Sequence, residues 1–151
     1  MKIAAKKVKK PNQVSQQVAI SMDWLPTLLA AAGTAPAASH PSDGINLLPA
    51  LSAGAAPVER TLFWRYKANA QKAVRAGDWK YLKLNDNEFL FNLAQDQHER
   101  ANLAAKHPDK LAELKGQWDA WNAGMLPITP DVRTHGVSGK VQADRYGPQL
   151  D

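Results

Sequence analysis

The stretch that decides the fold reads TLFWRYKANAQKAVRAGDWKYLKLNDNEFLFNL and occupies residues 61–93. It contains short runs that are rich in aromatic residues or alternate apolar with polar side chains, a pattern typical of β-strands. The predicted strands lie at residues 61–66, 71–75, 78–84 and 88–93. Because the connections are short, neighbouring strands are expected to be antiparallel.

Turn residues separate these runs. Gly77-Asp78 predicts a tight hairpin between the second and third strands, and Asn85-Asp86-Asn87 leads the chain into the fourth. In the third strand Trp79 and Tyr81 face one side of the sheet, whereas Leu82 faces the other. Both faces therefore carry apolar surface, which predicts a sheet covered by a helix on one side and by a larger body on the other.

A helix is predicted after the sheet. It begins at His107-Pro108-Asp109 and ends at Gly124. Its apolar side chains recur at helical spacing, at Leu111, Leu114, Trp118 and Trp121. The spacing places one apolar stripe along the helix, so we expect the helix to lie across the sheet.

Three further elements are predicted before the sheet. Residues 14–20 predict a modest strand because they are short and partly β-branched. Asp23 predicts a helix N-cap, and the good helix formers behind it predict a short helix that stops at Gly33. Residues 45–51 are short and apolar and predict a helical turn.

The composition fits one domain with tails. The chain has 151 residues, of which 44% are hydrophobic, and most aromatic residues fall between Phe63 and Trp121. The net charge of +5 arises mainly from lysines within the first ten residues. No aromatic residue lies among those lysines to stack on bases, so we expect a solvated end and no nucleic-acid partner.

Several classes of chemistry are excluded within this sequence. Without cysteine there is no disulfide, thiolate metal site or Cys nucleophile. No apolar run reaches membrane-spanning length, and the N-terminus shows no apolar export segment, so we expect no membrane partner and leave the localisation open. The motifs GxSxG, HExxH and a Gly-rich phosphate loop are also absent.

The remaining polar residues are interpreted first as structural. The histidines are too scattered to predict a metal site; they are His40, His98, His107 and His135. Asp96 and Glu99 have capping-box spacing, and we interpret the pair as fixing a loop rather than binding a hard cation.

One basic and aromatic cluster is harder to dismiss. It is formed on consecutive predicted strands by Trp64, Arg65, Tyr66, Lys67, Lys72, Arg75, Trp79 and Lys80. Such a cluster suits an anionic or sugar-like ligand. The preferred interpretation is a solvated sheet face on which long aliphatic stems cover aromatic rings.

The order of motifs along the chain carries a resemblance to a known family. The motifs are DWLPTLL at 23–29 with AG at 32–33, DGINLLP at 43–49, LFWR at 62–65, VRAGDWKYL at 74–82, and FLFNL at 89–93 followed by Asp96, Glu99, Asn102 and Leu103. In this order and at these spacings they closely resemble the C-terminal part of the arylsulfatase family. The resemblance runs from about Val14 to Met125.

The resemblance implies an α+β fold. A small antiparallel sheet of about four strands would pack against a C-terminal helix, as in the sulfatase C-terminal subdomain of an alkaline-phosphatase-like fold. The predicted organisation is a basic N-terminal segment at 1–13, the sulfatase C-terminal subdomain at 14–126 and an extended tail at 127–151.

The resemblance also implies a chemistry whose residues this sequence lacks. Family members are sulfuric ester hydrolases that use a formylglycine, made in a CxPxR or SxPxR motif, beside a divalent cation that is usually calcium. Neither motif occurs here, so we carry over no catalytic residue, no metal ligand and no cofactor. The implied partner is the missing N-terminal sulfatase domain, and Met1 is interpreted as an internal start or as the start of a truncated or split gene.

The functional expectation is a C-terminal part of a sulfatase that is inactive by itself. In the full-length enzyme, sulfated substrate is expected near the basic and aromatic cluster, at Trp64, Arg65, Arg75 and Lys80. The alternative is a stand-alone module that uses the sheet face to bind a partner protein or an anionic glycan.

Overall fold

The computed structural model describes residues 15–53, 55–67 and 70–129. The basic segment predicted at 1–13 and His135 lie outside the described residues, as does the predicted tail from residue 130 onward. The described chain forms two compact units that divide between Glu59 and Arg60. The subdomain bounds of 14–126 stay a prediction.

The second unit contains a four-stranded antiparallel sheet in which each strand pairs with the next along the chain. Its strands are β1 (Thr61–Tyr66), β2 (Gln71–Ala76), β3 (Trp79–Leu84) and β4 (Asn87–Asn92). The four predicted strands are confirmed, with ends that differ by one residue at most. Gly77 and Asn85 have positive φ values of 56° and 52° in the turns between β2 and β3 and between β3 and β4, a conformation that glycine and asparagine adopt readily.

Helix α3 (Pro108–Ala123) covers one face of this sheet. Val74, Tyr81 and Leu90 are directly paired across three strands and are almost completely buried beneath it. Leu114 and Trp118 of the helix are the buried residues that pack against them. The predicted helix and its apolar stripe are therefore confirmed, and the core lies between α3 and the sheet.

The start and the position of α3 have local causes. Pro108 occupies the first helical turn, where its missing N–H and its fixed φ angle do not destabilise the helix. Farther along, the indole Nε1–H of Trp118 donates a hydrogen bond of 2.9 Å to the carbonyl oxygen of Trp64. This bond ties the middle of the helix to the backbone of the edge strand β1.

The first unit contains the helices α1 (Trp24–Ala31), which follows a 3₁₀ turn at Ser21–Asp23, and α2 (Leu48–Ala53). Both helices were predicted, and Gly33 ends α1 with a φ of 82°. The strand predicted at residues 14–20 is wrong for the described positions 15–20. Ile20 has extended dihedral angles, but a strand also requires a neighbouring strand, and the described residues supply none there.

Asp23 corrects another prediction. It stands at the N-cap position of α1, but its side chain makes no capping hydrogen bond to the helix. Its carboxylate, almost completely buried, accepts hydrogen bonds from the backbone N–H groups of Ile20 at 2.8 Å and Ile45 at 3.0 Å. Asp23 therefore joins two segments of the first unit that are far apart in sequence.

The loop between β4 and α3 is organised by Asp96, as predicted. Its carboxylate accepts hydrogen bonds from the backbone N–H groups of His98, Arg100 and Ala101. The bond from Ala101 has the largest effect, and together these bonds lower the pKa of Asp96 below its ordinary value. The reciprocal half of the predicted capping box is wrong, because the Glu99 side chain binds Lys80 instead.

None of the helices in the described part of the chain is long and apolar enough to cross a membrane.

Candidate functional site

The sheet face opposite α3, which we call the open face, carries two exposed aromatic side chains, although Leu62 and Phe91 on the same face are buried. Trp64 and Tyr66 of β1 both point to this face, and each is 40% exposed. They line a hollow of about 200 Å³ together with Arg65 of the same strand and with residues of the next two strands, which are Gln71, Lys72, Ala73 and Leu82; Arg75 is not part of its lining. Ala73 is the direct partner of Trp64, so its small side chain leaves space beside the indole ring.

Arg75 lies on the same face, diagonally across from Trp64. It pairs directly with Leu62 on β1 and with Lys80 on β3. Its Nε–H donates a long hydrogen bond of 3.4 Å to the carbonyl oxygen of Gly77. Within the described part of the chain, no carboxylate forms an ion pair with Arg75.

Lys80, by contrast, is already neutralised. Its Nζ donates hydrogen bonds of 2.7 and 2.8 Å to the two carboxylate oxygens of Glu99. The two side chains are only 25% and 15% exposed, so the pair is shielded from water. Glu99 holds this position with a φ of 55°, which is unfavourable for a residue other than glycine.

Arg65 lies on the other face of the sheet. Its Nη1 donates to Oδ1 of Asn122 at 3.0 Å, and its Nη2 donates to the carbonyl oxygen of Leu126 at 2.6 Å. The structure thus places Trp64, Arg75 and Lys80 on the open face and separates Arg65 from them. That substrate contacts any of these four residues stays a prediction.

A second polar cluster lies at the edge of the interface between α3 and the sheet. The Tyr81 hydroxyl donates a hydrogen bond of 2.9 Å to Glu88, and Lys115 donates one of 2.8 Å to the same carboxylate. Lys72 lies 3.9 Å from the centre of a Trp118 ring, in cation–π geometry. A hollow of about 100 Å³ lies among these residues.

The electrostatics of this cluster indicate a structural role. Burial, together with the hydrogen bond to Glu88, raises the pKa of Tyr81 far above its ordinary value, so the hydroxyl stays protonated. Burial alone would raise the pKa of Glu88, but hydrogen bonds from Lys115 and Tyr81 lower it below its ordinary value. Sequence reasoning missed this cluster, since only the docking of α3 brings Lys115 to Glu88.

The family's calcium has no evident site among the described residues. Nowhere in those ranges do three or more His, Asp or Glu side chains cluster in a way that could hold a metal ion. Calcium requires several converging oxygen ligands. Asp96 and Glu99, the pair considered from the sequence, are engaged with backbone N–H groups and with Lys80 respectively.

Comparison with known proteins gives a clear relationship. No family model matches the chain. An uncharacterized sulfatase of Schizosaccharomyces pombe is 31% identical over 136 residues, which cover 81% of this chain and 24% of the relative. The chain corresponds to the C-terminal part of a sulfatase. Its four-stranded antiparallel sheet and C-terminal helix agree with the fold expected for the sulfatase C-terminal subdomain.

Solved structures agree with this sulfatase relationship. A putative sulfatase from Bacteroides thetaiotaomicron VPI-5482 is 29% identical, with a TM-score of 0.52, and a 2-O GAG sulfatase is 29% identical, with a TM-score of 0.51. Each match covers 67% of this chain and 24% of the other chain. The sulfatase-like chain therefore spans about a quarter of the length of the relatives that it matches.

Proposed function

We propose that this chain is the C-terminal subdomain of an enzyme that hydrolyses sulfate esters, and that the chain alone does not catalyse the reaction. The observation that carries the proposal is its relationship to sulfatases over only a quarter of their length. The formylglycine motif that resemblance to the family implies is absent from this sequence. In the complete enzyme the nucleophile and the cation would come from the remaining three quarters.

The substrate class that we propose is a sulfated glycan. A relative that is 29% identical is a 2-O GAG sulfatase. The open face offers the matching chemistry, because aromatic rings can stack against sugar rings and a guanidinium forms charge-assisted hydrogen bonds with a sulfate group. Trp64 and Arg75 supply these two groups on one face.

Sulfate-ester hydrolysis is tested with a chromogenic aryl sulfate and added calcium. The assay compares the chain alone with the product of the reading frame extended upstream of Met1. We expect activity only in the extended protein, and only while its CxPxR or SxPxR motif is intact. The matched control replaces the Cys or Ser of that motif with Ala.

Two outcomes contradict the proposal. Turnover by the chain alone would require a catalytic site among its own residues. An extended protein that hydrolyses an aryl phosphonate or phosphate and leaves the aryl sulfate intact would place the enzyme in another reaction class.

The stand-alone binding module is not favoured as an alternative. The chain matches enzymes, and it matches them over one part of their length.

A further inference from the structure

Helix α1 of the first unit is apolar on all of its sides. Its sequence, WLPTLLAA at Trp24–Ala31, contains no charged residue, and its single polar side chain, Thr27, is buried. A helix that is hydrophobic all round is normally buried all round. Yet Trp24, Leu25 and Leu28 are 66%, 58% and 50% exposed, and helical spacing places these three side chains together. We call them the α1 face, and the described residues cover it only in part.

A groove of about 420 Å³ lies beside this face, and it offers apolar surface to a partner. Trp24, Leu47 and Leu51 are among the residues that line it. The two buried polar side chains in its lining already have partners inside the first unit. Asp23 accepts hydrogen bonds from two backbone N–H groups, and the Thr27 hydroxyl accepts one of 2.9 Å from the N–H of Leu47. The groove therefore suits apolar side chains rather than a charged ligand.

The first unit has no apolar core of its own among its described residues. Of the side chains described at 15–59, those that are buried belong to Asp23, Pro26 and Thr27. The second unit, in contrast, buries aliphatic and aromatic side chains between its sheet and α3. A short segment without an apolar core is not stable in isolation. A partner that bound only transiently would leave the first unit without a core, so the cover must be permanent.

The comparison with relatives indicates which molecule provides this cover. The match to the S. pombe sulfatase includes 81% of this chain, whereas the second unit, residues 60–151, makes up only about three fifths of it. The first unit therefore shares the relationship to sulfatases. The matched part is 24% of that relative, so most of a complete enzyme precedes it. Covalent connection keeps such a remainder at high effective concentration beside the first unit.

Resting on the proposed function, we infer that the α1 face and its groove pack against the N-terminal three quarters of the complete enzyme. The partner surface is apolar and belongs to the same polypeptide. The first unit is then a part of the large domain, and the C-terminal subdomain begins near Arg60 rather than near Val14.

The test is hydroxyl-radical footprinting of two proteins, the full 151-residue chain and the product of the reading frame extended upstream of Met1. Mass spectrometry measures how fast the peptide that contains Trp24 is oxidised, and each protein unfolded in urea gives the reference rate for that peptide. In the extended protein we expect oxidation of Trp24 to be at least about fivefold slower, because its exposed fraction should fall from 66% to that of a buried side chain. Trp118, 6% exposed, should be oxidised slowly in both proteins.

A substitution tests the same contact through amide hydrogen exchange. Leu and Glu have similar helix propensities, so Leu28→Glu leaves α1 able to form while placing a charge on the α1 face. In the extended protein that charge would be removed from water, and we expect exchange in α1 to become at least about tenfold faster. In the 151-residue chain, where Leu28 is half exposed, exchange should change less than about twofold. The matched control is Val58→Glu, at a 55% exposed apolar residue outside α1, and it should change neither protein.

The other outcomes overturn the inference or the proposed function separately. Equal oxidation of Trp24 in both proteins, while the extended protein cleaves aryl sulfates, overturns the packing surface alone. Protection in the extended protein that is lost on dilution assigns the α1 face to a second copy and also overturns the inference, as would an effect of Val58→Glu equal to that of Leu28→Glu. Protection that persists on dilution, in an extended protein that leaves aryl sulfates intact, supports the packing surface and overturns the proposed function.

Discussion

Removing the Lys80 ammonium group tests whether that residue stabilises the fold or contacts substrate. Both carboxylate oxygens of Glu99 accept hydrogen bonds from Lys80, at 2.7 and 2.8 Å, and the side chains are 25% and 15% exposed. Exposed ion pairs contribute about 0.2–1 kcal/mol, whereas breaking a fully buried pair costs about 3–5 kcal/mol. For this intermediate burial we expect Lys80→Met to lower the free energy of unfolding by about 2 kcal/mol.

A double-mutant cycle isolates the pair from other effects of each substitution. The free energy of unfolding is measured by urea denaturation for Lys80→Met, Glu99→Gln and the combined variant. We expect a coupling energy of about 1.5 kcal/mol that largely persists in about 1 M salt, because salt screens shielded pairs less than exposed ones. The matched control is the cycle of Lys110 and Glu113 on α3, an exposed pair three residues apart for which we expect about 0.3 kcal/mol.

Two results would refute this reasoning. A coupling energy for Lys80 and Glu99 no larger than that of the control pair would mean that the pair does not stabilise the loop. Unchanged stability in Lys80→Met, combined with lost hydrolysis of the aryl sulfate by the extended protein, would assign Lys80 to the substrate instead.

Three further predictions concern the core, the acid-sensitive cluster and a close backbone contact. Leu114→Ala should lower the free energy of unfolding, measured by urea denaturation, by about 3 kcal/mol because it leaves a cavity under α3. The control Leu126→Ala, at an 83% exposed residue, should lower it by less than about 0.5 kcal/mol. Equal losses in the two variants would contradict the described core. The pKa of Glu88 is lowered in the folded state from an ordinary value of 4.5, so its stabilising effect exists above that pH and is lost as the pH falls through the lowered value. Glu88→Gln should therefore destabilise the chain at about pH 7 and progressively less as the pH falls below 4.5, and a difference that does not change with pH would contradict the assignment. Gly44→Ala should destabilise the first unit by at least about 1–3 kcal/mol, because the added Cβ would lie 2.1 Å from the carbonyl oxygen of Met22; unchanged amide exchange there would exclude this contact.

The sheet and α3 were predictable because their signals are local. Alternating side chains define each strand, and Gly77 and Asn85 mark the turns at which the structure shows positive φ angles. The apolar stripe of α3 must be buried against another apolar surface, which the sheet supplies. Short connections make strands that follow one another in the chain pair as antiparallel neighbours. The strand expected at residues 14–20 failed because a strand depends on a partner that local sequence does not specify.

The candidate site was only partly predictable, because a list of cations does not say which of them are already paired. Glu99 lies 19 residues after Lys80, and sequence reasoning assigned it to a capping box with Asp96. Arg65 is adjacent to Trp64 in the sequence, and adjacent residues of a strand point to opposite faces. The cluster predicted as one group therefore divides between two faces.

The sequence by itself determined the family relationship, the four strands and the helix that covers them. It also determined that the family's formylglycine motif is absent from this sequence. Each of these results depends on the order and spacing of residues along the chain. Tertiary structure alone decided the partners of the charged side chains. It paired Lys80 with Glu99 and Lys115 with Glu88, and on the open face it left Arg75 beside Trp64 without a carboxylate partner among the described residues. The physical reason is that an ion pair needs two groups within about 4 Å, and that distance is set by how strands, loops and helices pack rather than by separation along the chain.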